Sequence, residues 1–153
     1  AMVHLVRDVR AVAFSNQKSK FNPSAPASDA TMHTKPAPRV AATWVLYNSL
    51  LEGLEAAMDT YTLVRYEDLF SRPKREFDRL VGHLGVESRT EEVFCGENIR
   101  LSSEHVGQGN PVRQKQGIET LAPDTEWVGK MSRIKQAFMA YVCKTRLEKY
   151  SYL

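Results

Sequence analysis

Val3-His-Leu-Val-Arg-Asp-Val-Arg-Ala-Val-Ala-Phe-Ser15 contains the change of period that decides the fold. Val3, Leu5 and Val6 form a short apolar run next to the chain start, which suits a buried strand. The run stops at Arg7-Asp8, and Val9, Val12, Ala13 and Asn16 then recur at helical spacing. Asp8 is an N-cap residue, because its carboxylate accepts the unpaired amide hydrogens of a first helical turn. Strand, turn and helix in that order put Arg7 at the carboxyl end of a strand, where α/β sheets place their ligands. The helix start adds free amides and the positive end of a dipole. Ser15, about two turns on, can return a hydroxyl to the same edge. A guanidinium fork, a helix start and a hydroxyl together suit a phosphate group. An ordinary β–α junction with a surface arginine is the other reading of these residues taken alone.

Residues 39–58 read as a helix, with Val40, Trp44, Tyr47, Leu51, Leu54 and Met58 on one apolar face. Tyr61-Thr-Leu-Val-Arg65 is a second strand, rich in β-formers. A helix between two short apolar strands predicts a parallel pair. The expected class is therefore α/β, a short parallel sheet flanked by helices. Between the first helix and the second, residues 18–38 carry Pro23, Pro26, Pro36 and Pro38 among Ala, Ser, Thr and Asp, the composition of a flexible loop. Ser71-Arg-Pro-Lys-Arg-Glu-Phe-Asp-Arg-Leu-Val-Gly-His-Leu-Gly85 predicts a helix with Pro73 in its first turn, a stripe of Phe77, Leu80, Val81 and Leu84, and Gly85 as its end. Residues 91–101 predict a short helix with Val93, Phe94 and Ile99 inward, and residues 124–147 a last one. Asp124 or Thr125 would cap that last helix, and Trp127, Met131, Ile134, Phe138, Tyr141 and Val142 would form its apolar face. Between these two, Gly107, Gly109 and Gly117 with Arg113 and Lys115 have the composition of an anion-binding loop.

A chain of 153 residues suits one domain with a real core, and 42% apolar and 25% charged content is ordinary for a globular chain. The formal charge of +3 suits an anionic ligand but, with no long basic run, does not point to nucleic acid. No apolar stretch is long enough to span a bilayer, and no signal-peptide pattern appears. His4, His33, His83 and His105 are scattered and lack metal-ligand spacing. Cys95 and Cys143 are too few for a disulfide framework. One disulfide or two buried thiols both fit, and a bridge is expected if the protein matures in an oxidising lumen. Glu67-Asp68 reads as a structural pair, capping or bridging to Arg65 or Lys74, rather than as an acid and base.

Leu5-Val-Arg-Asp-Val-Arg-Ala-Val-Ala-Phe-Ser15 resembles the 3′-phosphate motif of sulfotransferases that use 3′-phosphoadenosine 5′-phosphosulfate (PAPS), and is closest to the carbohydrate branch. In that family the first arginine and the serine hold the 3′-phosphate, which implies Arg7 and Ser15 here. Val9 stands where the family usually has proline, and Asn16 where it often has arginine. Tyr66-Glu-Asp-Leu69 is similar to the end of the family's next strand, where the tyrosine lies near the adenine, which implies that role for Tyr66. The stretch from Ser71 to Gly85 matches a scaffold helix in the same order. Gly109-Asn-Pro-Val-Arg113, then Ile118, Asp124 and Trp127, resembles the family's carboxyl-terminal loop, which implies that Arg113 closes over the 3′-phosphate, with Lys115 a weaker candidate. Tyr150 and Tyr152 are similar to its closing aromatic.

The resemblance implies a partial P-loop-type sulfotransferase fold over residues 1–153, as the carboxyl-terminal portion of the domain. It implies sulfonate transfer from PAPS, as donor co-substrate and without a metal, to a carbohydrate hydroxyl of glycosaminoglycan type. Lys18, Lys20 and Lys35 then either meet an acidic sugar or are ordinary solvated lysines. The family implies the Golgi lumen, with a membrane anchor that this sequence does not contain. Nothing here matches the family's loop that grips the 5′-phosphosulfate or its histidine or glutamate base, so no catalytic residue is assigned and the chain by itself is not expected to turn over. A non-catalytic nucleotide-binding or partner-binding fragment of the same fold is the alternative. A different phosphate-handling α/β enzyme is disfavoured, because Gly-x-x-x-x-Gly-Lys-Ser/Thr is absent.

Overall fold

The computed structural model describes residues 1–18, 20–21, 31–32, 34–96, 98–101 and 116–153. β1 (Met2–Val6) passes through Arg7 and Asp8 into α1 (Val9–Gln17), as the change of period predicts. Asp8 caps α1, its carboxylate accepting the Arg10 amide at 2.8 Å. Within residues 18–38, expected as a flexible loop, the described residues include a two-residue antiparallel pair, β2 (Lys20–Phe21) with β3 (Thr31–Met32), and residues 22–30 are not among them. α2 (Ala37–Gly53) starts from Pro36, with Pro38 in its first turn, where a missing amide hydrogen breaks no helical bond. It stops at Gly53 rather than Met58, and a 3₁₀ turn over Glu55–Ala57 leads to β4 (Tyr61–Arg65). β4 lies parallel to β1, from Met2 opposite Tyr61 to Val6 opposite Arg65. The fold is mixed α/β, with a short parallel two-stranded sheet and packed helices.

β4 turns directly into α3 (Tyr66–Ser71), and α4 (Pro73–His83) follows from Pro73. Gly85, at φ +67°, ends α4 in the left-handed conformation that favours glycine, and the Val86 amide closes the turn on the Val81 carbonyl at 3.1 Å. Phe77, Leu80 and Val81 are half-buried, while Leu84 is exposed. Residues 91–101 are not one helix. A single turn, α5 (Thr90–Val93), gives way to β5 (Phe94–Cys95), which pairs antiparallel with β6 (Asn98–Leu101), and β6 with β7 (Gly117–Thr120). Gly96 at φ +63° makes the turn, and Ile99 and Leu101 follow the two-residue period of a strand. Phe94 does point inward, edge-on to Phe77 with ring centroids 5.5 Å apart.

The last helix is three helices: α6 (Glu126–Lys130), α7 (Arg133–Val142) and α8 (Lys144–Lys149). Ser132 starts α7, its hydroxyl accepting the Lys135 amide, and the interruption resets the helical phase. Met139, Cys143, Leu147 and Tyr150 therefore face the core. Ile134, Phe138, Tyr141 and Val142, expected inward, are exposed, Ile134 and Tyr141 by more than four-fifths at 83% and 82%. The core joins these residues to Val6, Val9, Ala13, Val40, Ala41, Trp44 and Met131.

On α2 the buried row is Val40, Ala41, Trp44 and Asn48, whereas Tyr47, Leu54 and Met58, expected on the apolar face, are exposed. Asn48 is inside because His4 is. His4 Nε2 lies 2.7 Å from Asn48 Oδ1, and Nδ1 lies 2.5 Å from the Tyr61 hydroxyl. Asn48 Nδ2 donates to the Trp44 carbonyl, which leaves Oδ1 as the acceptor. His4 therefore donates from Nε2 and accepts from Tyr61 at Nδ1. This network ties β1, β4 and α2 together. Of the two readings left open for the cysteines, neither a bridge nor two buried thiols is found: Cys95 is an exposed free thiol on β5, and Cys143 a buried free thiol between α7 and α8.

Candidate functional site: the carboxyl ends of the parallel strands

The parallel register puts the residues that follow Val6 and Arg65 side by side, namely Arg7 and Tyr66. The Arg7 guanidinium carbon lies 4.3 Å from the centre of the Tyr66 ring, a cation–π contact. The Trp44 indole donates to the Arg7 carbonyl at 3.0 Å and fixes the backbone there. One arm of the guanidinium, Nη2, donates to Asp124 Oδ2 at 2.9 Å. The Nε–H is buried and has no hydrogen-bond partner among the described residues. A buried donor left unpaired is costly, and an anion is the group that satisfies a guanidinium edge.

Among the described residues, the carboxylates around this corner are engaged. Asp8 holds the Arg10 fork, at 2.6 Å to Nη2, as well as capping α1. Glu67 accepts the Asp8 amide at 3.4 Å and the Tyr152 hydroxyl. Asp68 pairs with Arg72 at 3.0 Å and stands 4.0 Å from Arg65, so the Glu67-Asp68 pair is structural, with Arg72 in the place expected of Lys74. Tyr152 knits the corner together. Its hydroxyl, whose one proton goes to Glu67, also lies 3.3 Å from the Val6 carbonyl, its own carbonyl accepts from Arg10, and Arg65 lies over its ring at 4.5 Å. Arg10 in turn stacks on Trp127, 4.9 Å away.

Burial opposes ionisation of Asp124, yet the hydrogen bond and charge of Arg7, the Glu126 amide and the Lys18 charge outweigh it. Its carboxyl titrates below the ordinary value. The Tyr66 phenol is pushed up, first by burial and then by Asp124 and Glu67, against the opposing pull of Arg7. Tyr152 is pushed well up by burial and by its bond to Glu67.

Of the residues singled out from sequence, Arg7 and Tyr66 come together. Ser15 is half-buried on α1, about 9 Å along the axis from the helix start. A phosphate touching both Arg7 and Ser15 would lie beside the helix rather than on its axis. Arg113 and Lys115 lie outside the described residues. Tyr66 has Arg7 over its ring and Phe70 with its centroid 4.5 Å away, so it offers a purine its edge and hydroxyl before a face. Sequence reasoning placed Asp124 as a helix cap and motif residue but missed that it holds Arg7 from 117 residues away. An apolar cleft of about 230 Å³ lies nearby, lined by Leu5, Val12, Trp44, Tyr47 and Leu51 among others, but it does not include Arg7. Among the described residues, no group of three or more His, Cys, Asp or Glu side chains is placed to hold a metal, and no helix is long and apolar enough to cross a membrane. Comparison with family models, curated proteins and solved structures gave no match.

Proposed function

We propose that this corner binds the 3′-phosphate end of PAPS, and that the chain is part of a carbohydrate sulfotransferase with a P-loop-type fold. One observation carries the reading. At the carboxyl end of a parallel strand, a guanidinium lies on Tyr66 with a buried Nε–H that has no partner among the described residues. The resemblance to the sulfotransferase motifs adds Ser15 and Arg113 to the same phosphate as part of this proposal. The reaction proposed for the whole enzyme breaks the bond between the sulfur and the bridging phosphate oxygen of PAPS. It forms a bond from a sugar hydroxyl oxygen to that sulfur and passes the hydroxyl proton to a base. Remote contacts to the 3′-phosphate position the donor for that step. The donor is the only cofactor in this proposal, which includes no metal. The glycosaminoglycan-like acceptor and a membrane-anchored place in the Golgi lumen are proposed on the same resemblance.

Asp8, Glu67 and Asp124 are committed to Arg10, Tyr152 and Arg7, so none of them is offered as the base. The second reading is a nucleotide-binding piece of the fold that does not itself catalyse. Calorimetry tests what the two readings share. Adenosine 3′,5′-bisphosphate should bind more tightly than adenosine 5′-monophosphate. Arg7→Ala should remove most of that preference, on the order of 1.5–3 kcal/mol for a charge-assisted contact. Equal affinity of the unaltered protein for the two nucleotides would sink the assignment.

A further inference from the structure

We infer that Asp124 is a latch on the phosphate site: it occupies the Arg7 guanidinium until an incoming phosphate takes its place. The inference rests on the proposed nucleotide reading of Arg7. The geometry behind it is local. Asp124 accepts from Arg7 Nη2 at 2.9 Å, while the adjacent Nε–H of the same guanidinium has no partner among the described residues. The edge of an arginine that takes a phosphate in two parallel hydrogen bonds is the edge made by neighbouring N–H groups. A carboxylate already on one arm of Arg7 competes with that arrangement. If it stayed beside the phosphate, it would place a second negative charge against it.

Asp124 also has somewhere to go. It stands between β7 and α6, outside both elements, and is only half-buried. Lys18 lies close enough to act on its charge and is itself bridged to Glu126, two residues further on. The displaced carboxylate therefore keeps a cation and the Glu126 amide. A carboxyl at or below the ordinary aspartate value is ionised at neutral pH, so the ion pair with Arg7 is set there. Two contacts of Arg7 do not pass through Asp124: the Trp44 indole bonds its backbone carbonyl, and the Tyr66 ring lies against its guanidinium.

The test measures affinity and stability on the same proteins, because the two move in opposite directions only for a latch. Asp124→Asn keeps the shape and removes the charge, and Asp124→Ala removes the hydrogen bond as well. Both should melt below the unaltered protein, having lost an ion pair. Both should bind adenosine 3′,5′-bisphosphate about fivefold more tightly, with the 5′-monophosphate unchanged. Circular dichroism confirms that each variant is folded, and two different side chains guard against the failure of one. If both variants bind the bisphosphate equally or more weakly, while the unaltered protein prefers it and Arg7→Ala abolishes that preference, Asp124 is structural. The latch is then overturned and the phosphate site stands. If the unaltered protein shows no preference between the two nucleotides, the phosphate site is overturned and the latch with it.

Discussion

Replacing Asn48 with alanine tests the network that ties β1 to α2. Asn48 Oδ1 is the acceptor for His4 Nε2–H, and His4 is fully buried. The substitution takes away that donor's acceptor, at about 1–3 kcal/mol. Truncating a side chain that is itself 7% exposed adds a small cavity, about 1 kcal/mol more. The total is about 2–4 kcal/mol. In a chain of this size that lowers the melting temperature by about 4–16 °C. The assay is a thermal melt followed by circular dichroism at neutral pH, with Tyr47→Ser as the exposed control on the same helix, expected within about 2 °C of the unaltered protein. Replacing both partners, His4→Phe with Asn48→Leu, removes the stranded donor and should recover part of the loss. A melting temperature for Asn48→Ala within about 2 °C of the unaltered protein would refute the assigned network and the tautomer deduced from it.

The phenols of Tyr61, Tyr66, Tyr150 and Tyr152 all titrate above the ordinary value, burial being the first cause in each. In the unfolded chain they ionise near about pH 10, so the unfolded state sheds protons first and stability falls as pH climbs past that point. Tyr150→Phe should shrink the drop in melting temperature between about pH 9 and 11, and an unchanged drop counts against this cause. A thiol reagent should modify Cys95 at once in the native protein and Cys143 only after unfolding. Burial pushes the Cys143 thiol up as well. Rapid loss of both thiols, or of neither, contradicts the placement. Gly85→Ala meets open space but keeps φ +67°, so a loss of about 1 kcal/mol or more is expected from conformation alone. A melt that does not shift would show that α4 can end another way.

The β1–Asp8–α1 unit and β4 were legible because each rests on a local rule: a change of period, an acceptor at the N-cap, a run of β-formers. The buried row on α2 was not. Asn48 breaks the apolar stripe, and its reason is His4, 44 residues earlier. Only the strand pairing brings the two together. The phase of the closing helices turned on Ser132, a capping residue in plain sight that a continuous apolar pattern concealed. Likewise Gly96 marked the hairpin that a helical reading of residues 91–101 passed over. At the site, Arg7 and Tyr66 could be read from strand ends. Asp124 offered a local role as a cap, which hid the long-range one. Tyr152 could be noted as an aromatic near the chain end, but its contacts with Val6, Glu67 and Arg10 exist only in the folded chain.

The central claim is that the Arg7 corner takes a nucleotide's 3′-phosphate, and the most direct measurement is a crystal structure with adenosine 3′,5′-bisphosphate bound. The expected result has a 3′-phosphate oxygen about 3 Å from Arg7 Nε, the adenine in contact with Tyr66, and Asp124 released from the guanidinium. A nucleotide bound elsewhere, with Arg7 still held by Asp124, would contradict it.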